Sequence, residues 1–169
     1  MAELWDVYDS NRNKTGRITQ RGENALKEGE YHIIVTGIII NSKNEILLSR
    51  RAEHKKNGLK WEFTTGSAIS GETSLQGVLR EIKEELGIEF SEKEATYFKE
   101  IRKDDYPSDF KDMWIFKKDV NIKDLTFPDK EVIDAKWVSI DEFMKMKEQD
   151  EIIPHIDFGE KEYEVIKKY

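Results

Sequence analysis

The chain contains no cysteine, which excludes disulfides, thiolate nucleophiles and Cys-ligated zinc. Proline is scarce, at 3 of 169 residues, and no Pro-, Gly- or Ser-rich stretch marks a linker. One domain over residues 1–169 is expected, long enough to bury a core without covalent staples. Positive charge is also short: 28 Lys and Arg against 35 Asp and Glu leave a net charge of −7. Nucleic acid and anionic membranes reward basic surfaces, so neither is an expected partner. The longest apolar run, Ile33 to Ile40, is too short to span a bilayer. Met1 to Asp6 does not read as a signal peptide, so the cytoplasm is the expected location. A protein this acidic that handles phosphate must gather cations locally, from side chains or metal.

What is present reads as alternating strands and helices. Leu4–Tyr8, a polar turn and Gly16–Thr19 suggest a small N-terminal β-ribbon within an extension over residues 1–28. Tyr31–Ile40 is nearly continuous and β-branched, which suits a central strand covered on both faces. Asn41-Ser42-Lys43-Asn44 is turn chemistry leading into a second strand, Glu45–Arg51. A basic loop from His54 to Lys60 precedes a short strand, Trp61–Thr65. Further strands are expected at Ala95–Arg102, Met113–Val120 and Val132–Val138, with helices at 74–86, 140–148 and 159–168. An α/β fold follows, a mixed sheet flanked by helices. Trp5, Trp61, Trp114 and Trp137 read as core residues rather than a stacking platform.

The segment Gly66 to Ile88 carries the chemistry. Thr73 and Gln76 make a Thr-x-x-Gln capping box that starts a helix, and Gly87 stands where a left-handed C-terminal cap belongs. Leu75, Val78, Leu79, Ile82 and Leu86 recur at helical spacing and form one apolar face. Glu81, Glu84 and Glu85 project from roughly the opposite side. Like charges at these spacings repel by about 0.2–0.5 kcal/mol per pair. The helix dipole adds about 0.3–1 kcal/mol against each anion in the last turns. A hard divalent cation would reverse that balance.

Read whole, the segment is Gly-x5-Glu-x7-Arg-Glu-apolar-x-Glu-Glu-x-Gly-apolar. It matches the Nudix box at every fixed position, over residues 66–88. A chance match in a chain of this length is on the order of one in a million. The likeness extends beyond the box to the Ile-rich strand, Leu47-Leu48-Ser49-Arg50-Arg51, Trp61, Glu131-Val132 and Trp137-Val138. The chain therefore resembles the Nudix hydrolases, whose fold is an α/β/α sandwich with a mixed sheet.

The resemblance implies an enzyme that uses Mg²⁺, or Mn²⁺, to cleave a diphosphate linkage in a small phosphorylated substrate. Glu81, Glu84 and Glu85 would be metal ligands, helped by the Thr65 carbonyl beside Gly66. Arg80 would orient the glutamates, and Glu72 would pair within the box. Glu131 is the candidate for a late-loop carboxylate acting as ligand or general base, with Asp129 and Asp134 behind it. Arg50, Arg51 and Lys60 are candidates for meeting substrate phosphates, and a purely solvating role suits them equally. Thr64-Thr65-Gly66 departs from the usual Pro-Gly-Gly before the box. ADP-ribose, dinucleoside polyphosphates, oxidised nucleotides, nucleotide sugars and prenyl diphosphates all fit the pattern, and oligomeric state leaves no signature.

The ribbon and the Tyr31-His32 strand start look most like the isopentenyl diphosphate isomerase branch. That chemistry uses a Cys in the loop after the tryptophan and a His cluster. Here the loop is Trp61-Glu62-Phe63-Thr64-Thr65-Gly66-Ser67, and only His32 has a counterpart. A lone His32 reads as a hydrogen-bonded core or edge residue. A non-catalytic nucleotide-binding domain is the other rival, and the intact box argues against it.

Overall fold

Two antiparallel strands, β1 (Leu4–Tyr8) and β2 (Lys14–Gln20), open a computed structural model that describes residues 2–169. They form the ribbon, closed by a turn in which Asp9 Oδ1 accepts from the Asn11 and Asn13 amides. Then follow β3 (His32–Ile40), β4 (Ile46–Arg51), β5 (Trp61–Glu62), β6 (Thr64–Ser67) and α1 (Ser74–Leu86). The chain ends with β7 (Ala95–Lys103), β8 (Asp109–Lys117), β9 (Val132–Val138), α2 (Ile140–Glu148) and α3 (Glu160–Ile166).

The main sheet runs β5-β4-β3-β8-β7, with β6 also paired to β3 and β9 to β4. Only β3 and β8 run parallel, so the sheet is mixed. β3 is buried on both faces, as its apolar run requires. One face presents Ile38, Ile40, Met113 and Ile115 to Phe143, Met146, Tyr163 and Ile166 of α2 and α3. The other presents Val35 and Ile39 to Val78, Ile82 and Leu86 of α1. Helices thus cover both faces, giving the α/β/α sandwich. No helix among the described residues is long and apolar enough to cross a membrane.

The largest differences from the sequence expectation fall in three places. The strand at 61–65 divides at Phe63, which turns into the core against Phe143 and Phe158, with ring centroids 5.9 and 5.0 Å away. β5 therefore pairs with β4, and β6 with β3. β8 starts at Asp109 rather than Met113, because the parallel register aligns Asp109 with His32 and hides two charges, Asp109 and Asp112, in the sheet. The last helix is shorter than expected, Glu160–Ile166.

Gly37 fixes where α1 lies. A Cβ there would meet Ile82 Cδ1 at 2.8 Å, so the helix rests directly on β3. The ribbon is held by a different set of contacts. Arg12 grips buried Asp112 through two bonds of 2.7 and 2.5 Å and also reaches Glu100.

Trp5 stacks on His32 with ring centroids 4.0 Å apart. His32 is core, as expected, but its Nδ1 is buried without a partner, so the expected hydrogen bond is missing at that atom. Burial pushes its pKa down to about 4, with Arg21 and Lys103 also lowering it and Glu3 opposing. The unfolded chain then binds the extra proton first. His32 contributes stability above pH ~6.5 that is lost as pH falls towards ~4, about 2 kcal/mol of it between pH 7.5 and 5. Asp109, pushed up to about 6 by burial, works with the opposite sign. The difference between wild type and His32→Phe isolates the histidine. Urea melts at the two pH values should show the variant losing about 2 kcal/mol less than wild type. Equal losses would refute this account of His32.

Candidate active site

The loop between β6 and α1 is built around one guanidinium. Arg80 Nε donates to Glu72 Oε1 at 2.7 Å, and Nη2 donates to Glu72 Oε2 at 3.1 Å and to the Ser67 carbonyl at 2.9 Å. Its Nη1 reaches Glu81 and Glu84 carboxylate oxygens, each at 3.0 Å. Glu72 Oε2 also accepts from the Ile69 amide at 3.0 Å. Glu72 and Arg80 therefore tie both ends of the loop to the helix. The capping box forms, Gln76 N to Thr73 Oγ1 at 3.2 Å and Thr73 N to Gln76 Oε1 at 2.9 Å. Gly87 ends α1 at φ 71°, in the left-handed region.

The three helix glutamates do not share one environment. The Glu84 side chain is 49% exposed, Glu81 13%, and Glu85 as a residue only 3%. They descend from solvent into the interior instead of standing together on an open face. The Glu81 carboxyl packs against Gly66: a Cβ there would come within 2.1 Å of its carboxyl carbon, so a larger residue would displace the carboxylate. Burial pushes Glu81 up to about 7, opposed by Arg80 and reinforced by Glu84 and Glu3. Glu85 is raised as well, by burial first and then by Glu62, Glu81 and Asp129. Its Oε2 is buried with no hydrogen-bond partner.

Glu62 is a site neighbour that sequence reasoning passed over. It is buried on β5, and Arg51 Nη1 donates to its Oε1 at 2.6 Å. The available signal was its place between Trp61 and Phe63, a carboxylate in an apolar strand.

The loop before β9 is docked on the C-terminal end of α1. The Asp129 amide donates to the Glu84 carbonyl at 3.1 Å and the Thr126 amide to the Leu86 carbonyl at 3.4 Å, using carbonyls the helix leaves free. This brings Asp129 and Glu131 to the rim of a cleft of about 800 Å³. Asp134 does not line it. It sits within β9 opposite Arg50. Glu131 is paired with Lys55. Asp129 has no ion-pair partner among the described residues, and burial raises its pKa.

The cleft collects Thr65, Gly66, Arg80, Glu81, Glu84, Arg51, Lys55 and, from the ribbon, Glu3 and Arg21. Of the sequence's ligand and phosphate candidates, Glu85, Arg50 and Lys60 are not among its lining residues. Arg50 Nε donates to the Leu59 carbonyl at 2.9 Å and its guanidinium stacks over Trp61. Lys60 pairs with Asp150 at 2.7 Å. Of the basic residues in the 54–60 loop, Lys55 is the one that lines the cleft. Among the described residues no three Asp, Glu or His groups converge into a ready-made metal cage. The carboxylates present instead form a graded set in which Glu85 ends in an unpaired buried oxygen.

The NUDIX domain family pattern matches residues 30–156. A protein of Listeria monocytogenes named an uncharacterized Nudix hydrolase is 36% identical over 157 residues, covering 90% of this chain and 89% of its own. The 8-oxo-dGTP diphosphatase of Escherichia coli is 47% identical over 55 residues, 32% of this chain and 43% of that protein. A crystal structure from Deinococcus radiodurans superposes with a TM-score of 0.70 at 17% identity, covering 98% of both chains.

Proposed function

The chain belongs to the Nudix hydrolase family, and from that premise we propose that it cleaves a diphosphate linkage in a small phosphorylated substrate, in the cytoplasm. The observation that carries this reading is the stranded oxygen of buried Glu85, on the same helix as Glu81 and Glu84, which line the cleft. Buried carboxylates crowded together cost stability unless a cation joins them. The donor set is all oxygen, which fits Mg²⁺, with Mn²⁺ as a substitute. Glu81, Glu84 and Glu85 would hold the ion, with the Thr65 carbonyl beside them. Bound there, it would neutralise phosphoryl oxygens and acidify a water.

The remaining work falls to side chains. Arg80 keeps Glu72, Glu81 and Glu84 in register, so the carboxylates are positioned before any ligand arrives. Arg51 and Lys55 supply positive charge at the cleft for substrate phosphates. A loop carboxylate, Asp129 or Glu131, takes the proton of the attacking water. The name of the Escherichia coli relative, a diphosphatase, agrees with this reaction class.

Purified protein with Mg²⁺ should release phosphate-containing products from at least one member of a mixed panel. The panel comprises ADP-ribose, a dinucleoside polyphosphate, 8-oxo-dGTP, a nucleotide sugar and a prenyl diphosphate. Chelation should stop the reaction. Isopentenyl diphosphate should give no dimethylallyl diphosphate, since the chain contains no cysteine. Silence across the panel with both Mg²⁺ and Mn²⁺ would sink the hydrolase reading, and isomer formed at enzymatic rates would revive its rival.

A further inference from the structure

The family pattern covers residues 30–156, yet the cleft has a wall outside that span. Ala2, Glu3, Leu4 and Arg21 of the ribbon segment line it together with Arg80, Glu81 and Glu84. The ribbon is fixed to the box loop at this point. The Leu4 carbonyl accepts from the Ser70 amide at 2.7 Å, and Asp6 accepts from Ser70 Oγ at 2.8 Å and the Gly71 amide at 2.9 Å. The Arg21 amide donates to the Glu3 carbonyl at 2.9 Å, so its backbone is held as well. The wall is therefore a preformed part of the cleft.

The cleft cations differ in how committed they are. Arg80 is shared among Glu72, Glu81, Glu84 and the Ser67 carbonyl. Arg51 is taken by buried Glu62 and the Lys56 carbonyl, and Lys55 by Glu131. Arg21 has one side-chain partner, Glu3 at 2.9 Å, and its side chain is 63% exposed. An exposed pair of this kind holds weakly. Glu3 has a second anchor, since its Oε1 accepts from Trp5 Nε1 at 2.8 Å. It stays in place when Arg21 leaves it.

We propose that the ribbon is part of the substrate site and that Arg21 is a further substrate-binding residue, exchanging Glu3 for a phosphate oxygen of the substrate's diphosphate. The proposal rests on the hydrolase reading above and adds a residue to it. The planar guanidinium fork matches phosphate geometry, and Glu3 keeps it poised at the rim until an anion arrives. Because the contact forms on binding, its loss should appear mainly in KM.

The experiment compares Arg21→Gln, Arg21→Lys and Glu3→Gln with wild type. It measures hydrolysis of the best panel substrate, calorimetric binding of methylenediphosphonate with Mg²⁺, and thermal midpoints. Arg21→Gln should raise KM and the Kd for methylenediphosphonate about tenfold, with kcat changed less than about threefold. Arg21→Lys should recover part of the loss. Glu3→Gln frees Arg21 and should leave KM unchanged or lower. If the ion pair serves only the fold, Glu3→Gln and Arg21→Gln will lower the thermal midpoint and affinity alike, which overturns the proposal. Kd and KM within twofold of wild type in Arg21→Gln also overturn it, while leaving the hydrolase reading standing. A wild type inert towards the whole panel defeats that reading and this inference together.

Discussion

Glu85→Gln is expected to lower turnover by about 10²-fold or more, and to raise the unfolding midpoint in metal-free buffer. The two effects have one cause. Glu85 is 3% exposed, its Oε2 has no partner, and Glu62, Glu81 and Asp129 all disfavour its charge. A buried polar atom left unpaired costs about 1–3 kcal/mol, more when it is charged. The amide keeps the shape, removes the charge and offers an N–H to the neighbouring carboxylates. The same exchange removes the oxygen a divalent cation would use. Wild type should therefore show a Mg²⁺-dependent rise in thermal midpoint that the variant lacks, whatever the substrate. Wild-type turnover at saturating Mg²⁺, or an undiminished Mg²⁺ shift, would remove Glu85 from the ligand set. Glu84→Gln should lose comparable turnover but gain less stability, because its side chain is 49% exposed and already meets Arg80.

The legible parts of this chain are those with short-range grammar. α1 is readable because Thr73, Gln76 and Gly87 are local signals and its apolar face has one period. β3 is readable because burial on both faces leaves a continuous apolar run. The sequence pattern starts β8 late, because Asp109, Lys111 and Asp112 interrupt its apolar residues with charge. Two of these charges are met only by residues distant in sequence, Asp112 by Arg12 of the ribbon turn and Lys111 by Asp157, while Asp109 Oδ1 is buried without a partner. Glu62 offers one local signal, a carboxylate in an apolar strand, but its partner Arg51 lies on the neighbouring strand. Arg50 and Arg51 look equivalent in sequence. Pleat alternation sends one to Glu62 and the cleft and the other over Trp61. The ribbon was foreseen as an element, but its place beside the box depends on Ser70, Gly71 and Asp6 meeting across more than sixty residues.

Asp129→Asn is expected to lower kcat by about 10²–10⁴-fold, the range for losing a general base, with KM nearly unchanged. Sequence spacing favours Glu131 for this role, six residues before Trp137. The structure brings both to the cleft but leaves them in different states. Glu131 is engaged by Lys55, so its carboxylate already has a partner. Asp129 carries no such partner among the described residues and has the like-charged Glu131 beside it. Its own amide bonds to the Glu84 carbonyl, so its backbone is anchored to the helix that carries the box glutamates. A base supplied by a separate element reaches a water on the side those glutamates leave open. Glu131→Gln should then reduce kcat by less than about tenfold, and Lys55→Ala should change it little, whereas Asp129→Asn is nearly silent catalytically only if the assignment is wrong. If Glu131→Gln instead gives the larger loss, the base is Glu131 and Lys55 releases it when substrate binds. Wild-type kcat in both variants would leave the loop as a connector with no part in proton transfer.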